Sequence, residues 1–325
     1  MTHPELTRVA ADLLSERPRG YRGRFAPSPT GRIHLGTART ALVAWLRARS
    51  HRGAFVMRIE DIDGPRVKAG AAEALLEDLR WIGLDWDEGP DVGGDHGPYV
   101  QSQRSRHYLA ALDRLREAKR IYRCTCSRRE IAEVASAPHG GSGAIYPGTC
   151  RARPTHPDRP AAWRFLLDAA PSFHDVLRGP SPPGLGEGDF VVARADGVFA
   201  YQLAVTVDDA AMQVTEVVRG DDLFDSTPRQ LALLDALAES RPDYLHVPLV
   251  LGLDGERLAK RHGATSLAEL RDRGVKPEAI VGWLASTLGL VDAGVTASAT
   301  ELIRYVDFAR LTAESVRVDP ALVFS

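Results

Sequence analysis

The chain has 325 residues, 44% of them hydrophobic and 26% charged, a globular composition long enough for two or three domains with sizeable cores. A formal net charge of −2 excludes a globally basic nucleic-acid binder, so any such contact must come from local patches. No apolar run reaches membrane-span length and residues 1–20 lack a signal-type apolar core, so cytoplasm is the expected compartment and no membrane partner is expected.

Residues 1–20 read as a polar amphipathic extension. The segment 21–25 is short enough for a strand, and from Thr37 the apolar residues Ala38, Ala41, Leu42, Trp45 and Leu46 recur at helical spacing. Between them runs RFAPSPTGRIHLGTART (24–40). Its prolines fix backbone angles, while Gly31 and Gly36 permit turns and close approach. The spacing matches neither a Walker loop nor a dinucleotide fingerprint. Two readings stand: an ordinary βα turn, or a phosphate site at a helix start with His34 just before it.

A second strand is expected at AFVMRIE (54–60), ending in the acid cluster Glu60, Asp61 and Asp63. Helices follow from about Ala71, with Leu75, Leu79 and Ile82 on its face, and over 104–119, with Tyr108, Leu112 and Leu115 aligned. Strand alternating with helix argues for a parallel α/β sheet. The pattern breaks at 120. From there to 190 the chain is rich in Gly, Pro and Arg, and 120–164 carries eight arginines against three acids, an insert with a basic face. The stretch 199–220 reads as two strands, followed by a helix at 227–237 and a strand at 246–251. Beyond Ser266 the chain reads as helical, with Ile280, Trp283, Leu284 and Leu288 on one face.

The three cysteines, Cys124, Cys126 and Cys150, fall within 27 residues. An odd, clustered trio suits a metal better than a disulfide framework, and is one ligand short of a closed zinc site. His139 is the obvious fourth ligand by residue type; three free thiols are the plain alternative.

Taken together, RFAPSPTGRIHLGTART, MRIEDID, FAYQLAVTVDD, EVVRGDDL and ERLAKRHGA resemble, in order, the motifs of class I glutamyl-tRNA synthetases. More narrowly they resemble the truncated relatives of those enzymes, the glutamyl-Q tRNA(Asp) synthetases. The match runs from about Tyr21 to about Leu290. His34, Leu35, Gly36 and Thr37 stand in the HIGH-type signature positions. In the KMSKS-type loop only the second lysine, Lys260, is kept; Arg257 and Ala259 replace the usual lysine and serine. Only about 65 residues follow Lys260 of that loop, too few for an anticodon-binding part, and this favours the truncated branch.

The resemblance implies an α/β fold: a Rossmann-type parallel-sheet domain in two halves (21–119 and 191–265), an inserted zinc-containing domain (120–190) and a C-terminal helical segment (266–325). It implies ATP, L-glutamate and queuosine-containing tRNA(Asp) as partners, Mg2+ with the ATP, no DNA, and a monomer. The reaction implied is attack of a glutamate carboxylate on the α-phosphate of ATP, without tRNA, and then transfer to queuosine in the anticodon loop. A short glutamyl-tRNA synthetase charging the acceptor end is the runner-up; a synthetase-like RNA-binding module comes third.

His34 and Lys260 are then the catalytic candidates, and with Gly36 and Thr37 they form the ATP site. Arginine grips a carboxylate with a planar fork, so Arg24 and Arg219 suit a dicarboxylate substrate, with Ser28 assisting. Glu60 can hold the α-ammonium, and Tyr201 can cap the pocket. By resemblance the glutamate site comprises Arg24, Phe25, Ala26, Pro27, Ser28, Glu60, Tyr201 and Arg219. The resemblance also points to Tyr146, four residues before the last cysteine, as the fourth ligand of one structural zinc with Cys124, Cys126 and Cys150.

Overall fold

A computed structural model of the chain describes residues 20–62, 64, 67–127, 129–131, 145–256, 258, 266–319 and 324. Strand β1 (Arg22–Phe25) runs through helix α1 (Leu35–Ser50) into strand β2 (Ala54–Met57). The two strands are parallel, in register from Arg22 opposite Ala54 to Phe25 opposite Met57. Helices α2 (Ala71–Trp81) and α3 (Ser105–Glu117) follow, as their apolar spacing predicts.

A second sheet has the order β6-β5-β9-β8. Strands β8 (Glu216–Gly220) and β9 (Asp243–Val247) are parallel and joined by helix α5 (Thr227–Ala236). Strand β5 (His174–Asp175) pairs parallel with β9 and antiparallel with β6 (Gly179–Pro180). The sheets meet where Thr215, just before β8, donates its N–H to Arg22 O at 2.9 Å. Pro248 closes β9 earlier than the expected 246–251 strand. Short β10 (Val250–Leu251) instead pairs with β11 (Val316–Arg317).

Strands β3 (Ile121–Cys124), β4 (Ala162–Phe165) and β7 (Phe190–Ala193) form a separate antiparallel sheet in the order β3-β4-β7. The first half of 199–220, expected as a strand, is helix α4 (Tyr201–Ala211). Its β-branched residues suggest a strand, but tertiary packing overrides that preference. Leu203, Ala204 and Val207 share one buried cluster with Tyr108, Phe165 and Leu233. Asp208 and Asp209, on the same helix, are buried against arginines. The final segment contributes α6 (Leu267–Asp272), α7 (Pro277–Ser286) and α8 (Ala299–Leu302). Capping boxes start α6 at Ser266 and α8 at Ser298. Gly282 lets α7 pack this closely, since a Cβ there would stand 1.8 Å from Val295 O. Among the described residues, no helix is long and apolar enough to cross a membrane.

Helix α1 is buried on almost every side, between the sheet and α7, which is why even its arginines are inside. Arg39 is buried and donates to Pro248 O (2.7 Å) and Thr287 O (2.8 Å). Burial brings its guanidinium down to about 10. Arg47 and Glu216 are both fully buried and bonded twice, at 2.7 and 2.9 Å. Tyr21 donates its hydroxyl to the same carboxylate at 2.7 Å. Burial opposes the Arg47 charge, but Glu216 and Tyr21 outweigh it and the group stays protonated.

This pair ties the far end of α1 to the start of β8. Arg47→Leu takes from buried Glu216 the guanidinium that bonds it twice and is expected to cost about 3–5 kcal/mol of stability, measured by chemical denaturation. Arg47→Leu with Glu216→Leu is expected to recover much of that. A loss below about 1 kcal/mol from the single change would contradict this role.

Candidate active site

The carboxyl ends of β1 and β8 lie side by side, while their crossover helices lead to β2 on one side and β9 on the other. Ligands bind at such a switch point in open α/β sheets. A cavity of about 860 Å³ opens there. Its wall contains Arg24, Phe25, Ala26, Pro27 and Ser28 from β1 and its loop, His34, Gly36 and Thr37 at the start of α1, Glu60, Tyr201 and Arg219. Eleven residues singled out from sequence thus share one cavity. Lys260, the remaining one, lies outside the described residues. The chain on either side of it reaches the cavity wall: Leu258 lines the cavity and donates its N–H to Val250 O at 2.9 Å. Leu267 donates to Ile33 O, also at 2.9 Å.

The start of α1 has no side-chain cap at His34 and no acid in its first turn, so its unpaired N–H groups and positive dipole end face the cavity uncancelled. Gly31, at φ +152°, makes the turn before it. Gly36 needs no such freedom: a Cβ there would meet Val250 only at ordinary contact, 3.9 Å. A larger side chain at 36 would instead take space in the cavity.

The end of the cavity around Arg24 and Glu60 rests on charges paired beneath the surface. Arg24 is buried, donating to Val218 O at 2.8 Å and facing Asp209 at 3.3 Å. Asp209 also accepts Arg58 at 2.8 Å, and Arg58 donates to Glu60 at 3.0 Å. The chain Arg24–Asp209–Arg58–Glu60 therefore alternates in sign and ends on two groups that line the cavity. Burial alone would raise Asp209, but Arg24 and Arg58 hold it below the usual carboxylate range. Burial raises Glu60, only partly offset by Arg58. Asp208 accepts Arg104 at 2.6 Å, Gln101 at 2.9 Å and Tyr108 at 2.9 Å, which anchors α4 to α3. Burial beside Glu60 raises the Tyr201 hydroxyl, so it stays protonated and able to donate.

Arg219 differs from Arg24 in its partners. Its Nε donates to His246 Nε2 (3.0 Å), Nη1 to Gln230 (2.7 Å), and Nη2 to Leu223 O (3.2 Å) and Thr227 (2.8 Å). Among the described residues no carboxylate touches it. It is a buried cation, 4% exposed, whose charge only neutral groups hold. Arg24 keeps one unspent proton on each terminal nitrogen and can still grip two oxygens; Arg219 keeps one, on Nη1.

Sequence patterns had not shown Arg58, Asp208, Asp209, Gln230 or His246. The only local signal was a pair of acids, Asp208–Asp209, within an otherwise apolar stretch.

The cysteines form a second site. The three sulfurs lie within 4.8 Å of one another. The Tyr146 hydroxyl is 3.3 Å from Cys124 Sγ and 3.5 Å from Cys126 Sγ, and it accepts the Cys150 N–H at 2.9 Å. Arg164 lies 3.9 Å over the Tyr146 ring, while burial and the neighbouring thiols push the Tyr146 hydroxyl up, so that it is a protonated phenol here. Burial would raise the Cys150 thiol, but bonds from the Thr155 hydroxyl and the backbone of Thr125 and Thr155 bring it to about 5. Three thiols are thus gathered on one point and could hold a metal ion, with the Tyr146 hydroxyl beside them. His139 lies outside the described residues.

Residues 21–320 match the family model for the catalytic domain of class I tRNA synthetases (E and Q). A glutamyl-Q tRNA(Asp) synthetase of Symbiobacterium thermophilum is 55% identical over 309 residues, covering 91% of this chain and 95% of that protein. A glutamate–tRNA ligase of Anaeromyxobacter sp. is 44% identical; the match covers 88% of this chain and 62% of that protein. The crystal structure of a glutamate-tRNA synthetase from Elizabethkingia anophelis superposes with a TM-score of 0.81 at 29% identity, over 92% of this chain and 68% of that one. The chain therefore belongs to the class I tRNA synthetases of the E and Q type, in the glutamyl-Q tRNA(Asp) synthetase branch.

Proposed function

We propose that the protein activates L-glutamate with ATP, without tRNA, and transfers it to queuosine in the anticodon loop of tRNA(Asp). The observation that carries the reading is the cavity itself: acid and base for a dicarboxylic amino acid at one end, an uncapped helix start for phosphate at the other. Similarity to glutamyl-Q tRNA(Asp) synthetases over nearly their full length supports the acceptor.

In this reading Glu60 takes the α-ammonium, and Arg24 and Arg219 take the two carboxylates, with Ser28 and Tyr201 closing the pocket. Glutamine lacks the second negative charge and would leave Arg219 unmatched. The ATP phosphates lie over the start of α1 near His34, Gly36 and Thr37, accompanied by Mg2+. A glutamate carboxylate oxygen bonds to the α-phosphorus as the bond to pyrophosphate breaks. Lys260 and His34 neutralise charge on the phosphate oxygens, so catalysis is mainly orientation and electrostatic stabilisation. A ring hydroxyl of queuosine then attacks the adenylate carbonyl, releasing AMP and leaving an ester. Cys124, Cys126, Cys150 and Tyr146 hold one zinc. An ion held there would cross-link the insert where its buried cluster is small, at Cys124, Tyr146 and Cys150.

The experiment that tests the reading is glutamate-dependent ATP–pyrophosphate exchange without tRNA, followed by transfer to tRNA(Asp) with and without queuosine. Exchange without tRNA, and an ester only on the queuosine-containing tRNA, are expected. Efficient charging of tRNA(Glu) at its 3′ end, or no exchange until tRNA is added, would favour an ordinary glutamyl-tRNA synthetase instead.

Two narrower outcomes follow. Lys260→Ala is expected to slow adenylate formation by about 2–4 kcal/mol of barrier with little change in ATP affinity; unchanged exchange kinetics would remove Lys260 from the step. Metal analysis of fresh protein is expected to find about one zinc per chain, and Cys150→Ser to release it. Fresh protein free of zinc would contradict the assignment.

A further inference from the structure

His246 lies outside the cavity wall, fully buried behind Arg219. An arginine Nε–H can only donate, so the 3.0 Å contact requires His246 Nε2 to be an unprotonated acceptor. The ring proton then sits on Nδ1 and is donated to Asp175 Oδ2 at 2.7 Å. Asp175, also fully buried, accepts three further N–H groups: His246 at 3.1 Å, Leu177 at 3.0 Å and Arg178 at 2.9 Å. All four of these bonds reach its oxygens from nitrogen donors, and this fixes the tautomer of His246. The chain Asp175–His246–Arg219 crosses β5, β9 and β8 in that order.

We propose that His246, fixed by Asp175, is a positioning residue for Arg219: as a neutral acceptor it sets which guanidinium edge faces the amino-acid site, and its protonation weakens glutamate binding. The inference rests on the reading of this cavity as a glutamate site. With Nε and both protons of Nη2 committed inside the protein, the one unspent Arg219 proton is on Nη1. A protonated His246 would put a second cation and a second donor against Nε, and the guanidinium would have to turn or withdraw. The titratable or charged groups facing the ring are Arg219 from β8, Asp175 from β5, Asp221 from the turn after β8, and Tyr244 from its own strand. Thr227 from α5 adds a hydroxyl at 3.4 Å. Burial and Arg219 outweigh Asp175 and lower the imidazole below its ordinary 6.5. The neutral form therefore prevails at neutral pH and is lost as pH falls through that lowered value.

The test is the glutamate KM in ATP–pyrophosphate exchange between about pH 5 and 8. The unaltered protein is expected to show a KM that climbs as pH falls. His246→Gln keeps an acceptor near the Nε2 position but cannot titrate. It is expected to keep a near-normal KM at neutral pH and to have a flatter profile. Glu60 titrates in both proteins, so the difference between the curves belongs to His246. His246→Leu is expected to raise the glutamate KM roughly tenfold or more, and Asp175→Asn to raise it too, with kcat and the KM for ATP nearly unchanged. Superimposable pH profiles for the unaltered protein and His246→Gln would overturn the proposal, even if the leucine variant does not fold. A folded His246→Leu protein with a normal glutamate KM would overturn it as well. No glutamate-dependent exchange in the unaltered protein would overturn the functional reading, and this role with it.

Discussion

The alternation of buried charge along Arg24, Asp209, Arg58 and Glu60 is the constraint on which the site depends. A lone ion in a protein interior is strongly disfavoured, and a cavity wall that presents one must pair it from behind. Arg58, fully buried and ion-paired with Glu60, Asp209 and, at 3.7 Å, Asp208, lets a cation and an anion stand at the same surface without neutralising each other directly. Because Asp209 sits on α4, this pairing also decides how that helix lies against β1 and β2. Fold and site are therefore set by the same few side chains.

Around that network the cavity divides by the kind of support each wall has. The end around Arg24 and Glu60, where the proposed reading puts the amino acid, is built from strand ends and buried ion pairs. The other end, where it puts the nucleotide, is made of backbone, the open start of α1 and the turn at Gly31. The burial of α1 keeps that start in place: Arg47 fixes its far end to β8, and Arg39 bonds carbonyls of Pro248 and Thr287. Arg39 thereby connects the signature helix to the strand end before the KMSKS-type loop and to α7.

Much of this was legible in the sequence, and what was not has a common cause. The loop 24–40 announces itself because prolines, glycines and a helical apolar period are local features. The cysteine trio is local too, and the resemblance rather than residue type directed attention to Tyr146, whose hydroxyl lies among the sulfurs. The error at 199–211 was also local: Tyr, Val and Thr suggest a strand, and only packing against Tyr108 and Leu233, with arginines over Asp208 and Asp209, makes the helix. His246 and Asp175 could not be found by pattern, since they lie far from each other in sequence; Arg58 sits only two residues from Glu60, but its tie to Asp209 is equally remote. Arg58 meets Asp209, and Asp175 meets His246, through sheet order alone.

In the proposed reading this cavity holds glutamyl-adenylate, with the amino acid between Arg24, Glu60 and Arg219 and the phosphate over the start of α1. A crystal structure with a non-hydrolysable glutamyl-adenylate analogue tests it most directly. The account predicts the α-ammonium on Glu60, a carboxylate on Arg219, and the α-phosphate analogue beside His34 and the first-turn N–H groups of α1. An analogue seated with Arg219 still bonded only to protein groups, or with its phosphate away from α1, would contradict it.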